Sequence, residues 1–476
     1  MDTNASLSLA NSPNTKQAWI LISVFSLVLS LLILAGVGLS AALFFFLGSV
    51  SLGGYLYFKH PHLYVGFVWW LWFVGPLIRR LIDFRRGSLT PGHFMLTPSL
   101  VALISIITFV KYLPRFYKNQ ALPFVLCAGS IFYGFVIGVV YRNPLNSNIY
   151  GTLQILGPLF FGYHLFTTSY NYPLYRKTIL RVFLWGVIVM GVYGIAQRLF
   201  LPSWDQFYLL NIEKEHQIAE GIDSTFGLFS TTEGRQQFAG LLAAGLILIL
   251  CQEGKLLGFM GAALGYLTLL LSRARAGWLS WLVSLVLFIP SLKPKLQVRI
   301  VSVVCISGIL VIPLTTMEPF STFISDRVGS LSDIEGDNSL YTRRVAYNFL
   351  FAKAITEVVG KGIGLNLANY AQISTFDGAI LPMFFWLGWL GIIFFSGGIA
   401  MLLCKLLTAS ISRTDSFANA SRAIAIGIFI QIGFNLIFIA SLALVFWGFL
   451  GMALAANSYY KSPRQNFGYG TLPSHY

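Results

Sequence analysis

The sequence predicts an all-α, polytopic integral membrane protein of about 12–14 transmembrane helices, with a large outer loop that contains an amphipathic helix. Three observations predict it. Only 10% of the 476 residues are charged and 56% are hydrophobic, whereas an ordinary soluble domain is about 25% charged. Apolar runs recur along the whole chain at lengths that cross a bilayer as helices, which takes roughly 20 residues. The short connections between those runs are basic, as cytoplasmic loops are under the positive-inside rule.

The polar N-terminus, MDTNASLSLANSPNTKQ, lacks the basic start and small-residue cleavage site of a secretory signal. The first apolar run, from Ala18, is therefore expected to direct insertion. Candidate spans follow near 18–36, 38–58, 63–78, 96–111, 122–141, 150–168, 180–200, 237–252, 256–272, 276–292, 298–314, 380–404, 420–438 and 440–458. Two long polar segments, 201–236 and about 315–379, interrupt the pattern, and the chain reads as a single membrane-embedded domain with these two insertions. The first is rich in acids: Asp205, Glu213, Glu215, Glu220, Asp223 and Glu233. The short loops around it carry Arg176, Lys177 and Arg181; Lys293, Lys295 and Arg299; and Lys405, Arg413 and Arg422. Alternation then places these basic loops and the C-terminal tail in the cytoplasm. Both long segments and the SRARAG turn (272–277) fall outside.

The N-terminal third conflicts with that alternation. RRLIDFRRG (79–87) and KYLPRFYK (111–118) are both basic, yet they flank one candidate span. Either a span is miscounted, or 79–95 is an outer loop that is basic because it meets an anionic ligand. In the second polar segment, residues 339–359 read as a helix capped by Ser339. Tyr341, Val345, Phe349, Ala352, Ile355 and Val359 recur at helical spacing, and Gly360 marks the exit.

Several chemistries are not expected. No Walker loop or dinucleotide fingerprint occurs in a strand–helix context, and no His or Cys residues have metal-ligand spacing, so neither a metal nor a cofactor is predicted. Cys127, Cys251, Cys305 and Cys404 lie far apart in or beside apolar runs and read as small buried hydrophobes. The histidines are His60, His62, His93, His164, His216 and His475; only HPH pairs two of them, as an interfacial turn. The net charge of +15 reads as cytoplasmic loops meeting a lipid bilayer, and no nucleic-acid partner is expected.

Arginine outside the membrane is what remains to be explained. The group is Arg235, Arg273, Arg275, Arg327, Arg343 and Arg344, with Arg79, Arg80, Arg85 and Arg86 if 79–95 is outer. A charge at the bilayer centre costs about 2.5–3.5 kcal/mol on insertion scales. Arg273 and Arg275, inside the run 256–292, therefore mark a turn at an interface or line a polar cavity. As helical residues two apart they would diverge by about 200°, so one faces the cavity while the other anchors at the interface. The group either pairs with Asp326, Asp333, Glu335, Asp337 and Glu233, or it holds an anionic substrate, since the guanidinium fork matches phosphate oxygens.

Four pieces of the last 260 residues carry a resemblance: STFGLF (224–229) followed by QQFAGLL; LSRARAGWLS (271–280); DNSLYTRRVAYNFL (337–350) ending at GKGIG (360–364); and FDGAILPMFFWLGWLG (376–391). In order and spacing they resemble the Wzy-type polysaccharide polymerases and O-antigen ligases of bacterial envelopes. The match puts Arg275 on the family's turn arginine, Trp278 on its tryptophan, and Arg343 or Arg344 on the arginine of its outer-loop helix. Ligases of that family carry a histidine near the membrane re-entry, whereas this chain has Asp377 there and no histidine in 315–379, which favours the polymerase type. The family arginine before the STFG piece is replaced by GID, with Asp223, leaving Arg235 to take over its role.

The resemblance implies transfer of a glycan from a polyprenyl pyrophosphate donor to a glycan acceptor at the outer face of the bacterial inner membrane, with no nucleotide or metal. It also allows a chain-length regulator or export partner. Arg275, Arg343, Arg344, Arg273, Arg235 and Arg327 would bind the pyrophosphate, and Arg275 would stabilise its developing charge. Asp377 would be the acceptor's base, a helix N-cap, or both. Two other readings remain: an O-antigen ligase acting on a lipid or protein acceptor, and a transporter of an anion or inorganic carbon. A transporter should show repeats and broken mid-membrane helices, and no repeat is visible in the sequence.

Overall fold

The computed structural model describes residues 13–90, 96–115, 121–216, 227–251, 256–292, 294, 297–298, 300–302, 350–351, 353–365, 378–408 and 415–461. Among them every regular element is a helix. In chain order these are α1 (Pro13–Leu34), α2 (Gly38–Lys59), α3 (Pro61–Arg86), α4 (Thr97–Leu103), α5 (Ile106–Tyr112), α6 (Leu122–Val140), α7 (Leu145–Thr167), α8 (Tyr172–Phe200), α9 (Ser203–His216), α10 (Arg235–Ile249), α11 (Leu256–Leu271), α12 (Arg275–Phe288), α13 (Ile380–Thr408), α14 (Ser416–Phe429) and α15 (Ala440–Lys461). Prolines in the first turns of α3, α4, α6 and α8 start helices where a missing N–H costs nothing. Seven helices are long and apolar enough to cross a membrane: those spanning Thr15–Leu34, Gly38–Lys59, Pro61–Arg86, Leu122–Val140, Ser169–Phe200, Ile380–Thr408 and Ala440–Lys461.

The core forms around α15, which is apolar on all sides and 94% buried over its span. Its Gly451 lies against the backbone of Gly162 on α7, and Gly162 in turn meets the backbone of Trp447. Such small-residue contacts let membrane helices approach closely enough for dispersion to hold them. Trp69, Phe161, Phe183 and Phe449 interlock beside this contact, with Trp69 and Phe183 ring centroids 4.8 Å apart. At the periphery, α1 exposes Ile20, Leu27 and Leu31, an apolar outer face suited to lipid.

The helices define two ends. At one, Asp415 caps α14 through the N–H groups of Phe417 and Ala418. It also accepts from Tyr172 (2.7 Å) and Tyr460 (2.8 Å) and pairs with Arg176 at 3.4 Å. At the other, α8 presents Gln197 to the segment 227–234. The 21 residues from Arg176 to Gln197 rise about 32 Å along α8, so the two ends are a bilayer core apart.

Two expectations change. The run 96–111 is not one helix: it divides into α4 and α5 around Ile104 and Ser105. It still passes from Pro98, beside Gly75 of α3, to Thr108, which bonds His164 (2.7 Å) and Tyr57 (2.6 Å) towards the Asp415 end. Residues 79–87 and 111–115 therefore lie at opposite ends of the helices. The helix expected over 339–359 is helical at 350–356 among its described residues. Its buried positions are Leu350 and Ala354, against Leu381 and Phe385, whereas Ile355 and Val359, expected to face inward, are exposed. Most of the run 298–314 lies outside the described residues.

The chain that follows this helix is inserted into a break in α13. Gly388 is left-handed (φ 58°) and interrupts the helix. Phe385 and Trp386 carbonyls accept from Lys361 (2.7 Å) and Gly362 (3.1 Å), while the Trp389 and Leu390 N–H groups donate to Glu357 and Val358, both at 3.1 Å. Four backbone groups around the break are thus bonded, as an apolar surrounding favours. Asn143, in the α6–α7 turn, donates to the carbonyls of Lys361 (2.9 Å) and Ile363 (3.1 Å). Glycine is needed here because a Cβ at Gly360, Gly362 or Gly364 would collide with the backbone of Gly388, Gly138 or Asn148.

Candidate functional site

The site is built on two helix N-termini. Arg235 is the first residue of α10 and Arg275 the first of α12, and the residues before them, Gly234 and Ala274, have no side-chain acceptor to cap the free N–H groups. The helices run side by side from the same end: Gly277 packs on Ala239, and a Cβ at Gly227 would lie 2.9 Å from both Arg235 Cδ and Ser272 O. A cation at a helix N-terminus opposes the macrodipole by about 0.3–1 kcal/mol. Two such arginines beside two uncapped N-termini form an arrangement that an anion relieves.

Each N-terminus is reached through a strained turn. In SRARAG, Arg273 is left-handed (φ 57°). Ser272 Oγ donates to Leu269 O at 2.6 Å, and Trp278 Nε1 donates to the same carbonyl at 2.7 Å. The tryptophan therefore staples the end of α11 to the start of α12. In the other turn, Ser230 is left-handed (φ 49°). Its N–H donates to Gln197 Oε1 (2.8 Å), its hydroxyl donates to Met190 O (2.6 Å), and its carbonyl accepts from Arg80. Left-handed non-glycine residues cost about 1–3 kcal/mol each and persist where the surroundings over-determine them.

The support beneath the second turn is a buried ion pair. Arg80 and Asp205 meet at 3.0 Å with side chains 1% and 0% exposed. Asp205 also accepts from Gln197 (2.7 Å) and Tyr193 (2.8 Å). The Arg80 guanidinium lies 4.7 Å from the Phe229 ring centre, a favourable cation–π distance. Burial raises the Asp205 carboxyl above its usual range, while Arg80 and the two hydrogen bonds pull it down. Arg79 grips Thr90 through its hydroxyl (3.2 Å) and carbonyl (3.1 Å) and pairs with Asp83 at 3.3 Å. Leu77 N–H, just after Pro76 in α3, donates to Thr231 O at 3.1 Å.

Two further polar groups reach the same end. Gln431 and Asn435, at the α14–α15 connection, bond each other, and Asn435 donates to Gln236 Oε1 at 3.4 Å, next to Arg235. Ala379 N–H donates to Ile432 O at 2.8 Å, which ties the membrane re-entry to this cluster. From α7, Tyr150 is electrostatically coupled to Glu233 and Arg79, and the next residue, Gly151, packs on Ile363 of the glycine turn. The segments 227–235, 272–275, 360–364 and 378–379 are thereby gathered at one end.

The expected site residues divide accordingly. Arg235 and Arg275 come together. Arg273 is not helical, so the expected 200° divergence from Arg275 does not apply; the left-handed turn brings it within electrostatic reach of Arg198 on α8. Arg79 and Arg80, expected as anion ligands, are internal clamps. Arg86 packs its stem over Gly38, and Arg85 is exposed. Asp377, Arg327, Arg343 and Arg344 lie outside the described residues. Gly378 and Ala379 stand between Asp377 and the start of α13, so Asp377 is not the residue that directly precedes the helix, as an N-cap would be. Sequence reading missed Arg198, Tyr150, Gln236, Gln431 and Asn435. The pairing of Asp205 with Arg80 was signalled only by an acid and an arginine in separate polar segments. Among the described residues no cluster of three or more His, Cys, Asp or Glu could hold a metal ion. No family model matches the chain, and no curated protein does.

Proposed function

We propose that this chain is a membrane glycosyltransferase that polymerises polyprenyl pyrophosphate-linked oligosaccharide repeats. In this reading it lies in the bacterial inner membrane with about 12–14 crossings, its Arg235 end outside and its C-terminus in the cytoplasm. One observation supports the reading: the described parts of the sequence pieces that resemble polymerases (227–242, 271–280, 360–364 and 378–391) lie far apart in the chain and gather at the end where Arg235 and Arg275 head two adjacent helices. A pyrophosphate leaving group needs its developing charge stabilised, and preorganised donors in a water-poor site supply that. Arg235 and Arg275 would hold the phosphates, with Arg273 beside them. Arg343, Arg344 and Arg327 would join from the second polar segment. Gln236, Gln431 and Asn435 would offer amides to sugar hydroxyls.

The transporter reading draws on the break in α13, since broken helices hold ions in many transporters. Here the Phe385 and Trp386 carbonyls and the Trp389 and Leu390 N–H groups are taken by residues 357–362, and Gly388 lies only about 12 Å along the helix from Ile380. The polymerase is therefore preferred. Lipid-linked intermediates in cells lacking the protein test it. Accumulation of single repeats on lipid supports polymerisation. Long lipid-linked polymer would indicate a ligase, and an unchanged lipid-linked pool would leave the transporter.

A further inference from the structure

We propose that Glu233 is a catalytic residue of this site, the base that takes the proton of the attacking sugar hydroxyl. The inference rests on the polymerase reading. It follows from asking which carboxylate at the Arg235 end is available. Asp83 is held by Arg79 and by Thr90 N–H at 2.7 Å. Asp205 is enclosed by Arg80, Gln197 and Tyr193. Glu357 pairs with Lys361 at 3.3 Å, and Asp415 is at the far end. Among the acids whose side chains are described, Glu233 differs: Tyr208 Oη donates to its backbone carbonyl at 3.3 Å, and among the described residues no hydrogen bond or ion pair engages its carboxylate.

Position supports the choice. Glu233 lies two residues before Arg235, on the turn that the buried Arg80–Asp205 pair braces. The groups that face it are Arg79 from α3, Tyr150 from α7 and Tyr208 from α9. Desolvation pushes its carboxyl up to about 7, against the pull of Arg79. A base poised near the working pH is both deprotonated and able to accept a proton.

The step balances without a co-reactant. A lone pair of the acceptor hydroxyl oxygen forms the new bond to the anomeric carbon. The bond from that carbon to the phosphate oxygen breaks, and its electron pair leaves with the polyprenyl pyrophosphate. The O–H pair stays on the glycosidic oxygen, and the proton passes to Glu233, which returns it to water.

The test uses the full-length protein in liposomes with a synthetic polyprenyl pyrophosphate oligosaccharide. Polymer from the unaltered protein is required; its absence overturns the polymerase reading and this inference with it. Given polymer, Glu233→Gln should lower kcat by about 10²–10⁴-fold, leave KM for the donor within a few-fold, and remove the rate increase through pH 7. A wild-type kcat and pH profile for Glu233→Gln overturns the assignment while the polymerase reading stands. A change in KM alone overturns it too, by making Glu233 a binding group. If Glu233→Gln fails to insert, Glu233→Asp decides: its shorter carboxylate should lower kcat and shift the pH limb, and an unmoved limb counts against the role.

Discussion

Arg275 and Arg235 occupy the first position of a helix, where acids are usually favoured. That placement opposes the helix dipole, so these residues are expected to serve function more than stability. Arg275→Ala should reduce polymer formation by about 10²–10³-fold, the typical loss for one preorganised donor, with little change in thermal stability. Arg275→Lys should recover little, because it keeps the charge but loses the planar fork. A lysine variant with full activity would show that charge alone suffices. Arg80 behaves oppositely. Arg80→Ala leaves Asp205 buried without its cation, which costs about 3–5 kcal/mol. It should lower the melting temperature in detergent, and Arg80→Met combined with Asp205→Leu should regain most of the loss. An unchanged melting temperature for Arg80→Ala would refute the clamp. The sequence distinguishes these arginines only in part. Arg275 was legible because its turn, with Trp278, is local. The role of Arg80 was not, because Asp205 and Ser230 meet it only after α8 has brought separate polar segments together.

Among the elements, apolar runs located helices: α1, α2, α6, α8, α10, α11, α13 and α15 each contain or closely overlap a predicted span, though α10 and α11 are shorter than the seven helices long enough to cross a membrane. What it could not show is interruption. Ile104 and Ser105 divide one run with no proline or glycine to signal it, and at Gly388 α13 breaks where residues 357–362 bond the backbone on either side. The amphipathic phase at 350–356 was misread for the same reason: Leu350 and Ala354 face inward because Leu381 and Phe385, not lipid, cover them. This joint is testable. A Cβ at Gly388 would strike the backbone of Val359 and Gly360, and its left-handed backbone also disfavours alanine. Gly388→Ala should therefore expel 357–363 and make Lys361 accessible to trypsin. Gly397→Ala, in the same helix but with open space around it, should not. Equal protection of Lys361 in both variants would mean that the insertion does not depend on the break.

At the scale of the whole molecule, both ends are basic, which is why charge alone left the N-terminal third ambiguous. Lys59, Lys111, Arg176, Lys177, Arg181, Lys405 and Lys461 belong to the Asp415 end by their places on the helices. Arg79, Arg80, Arg85, Arg86, Arg198, Arg235, Arg273 and Arg275 belong to the other. The difference lies in what accompanies them. At the Arg235 end, Asp83, Asp205 and Glu233 sit among the arginines, with Arg79 and Arg80 engaged in ion pairs inside the protein. At the Asp415 end, Asp415 pairs with Arg176, and Lys59, Lys111, Lys177, Lys405 and Lys461 add basic charge that favours a cytoplasmic position. The expected outcome is that the Arg235 end faces outward. In a background without the native cysteines, Ser203→Cys, exposed at the start of α9, should react with a membrane-impermeant maleimide in intact cells. Tyr170→Cys, exposed between α7 and α8 at the Asp415 end, should react only after permeabilisation. The reverse pattern would put the arginines in the cytoplasm, where a lipid-linked glycan facing outward could not reach them, and the polymerase reading would fail.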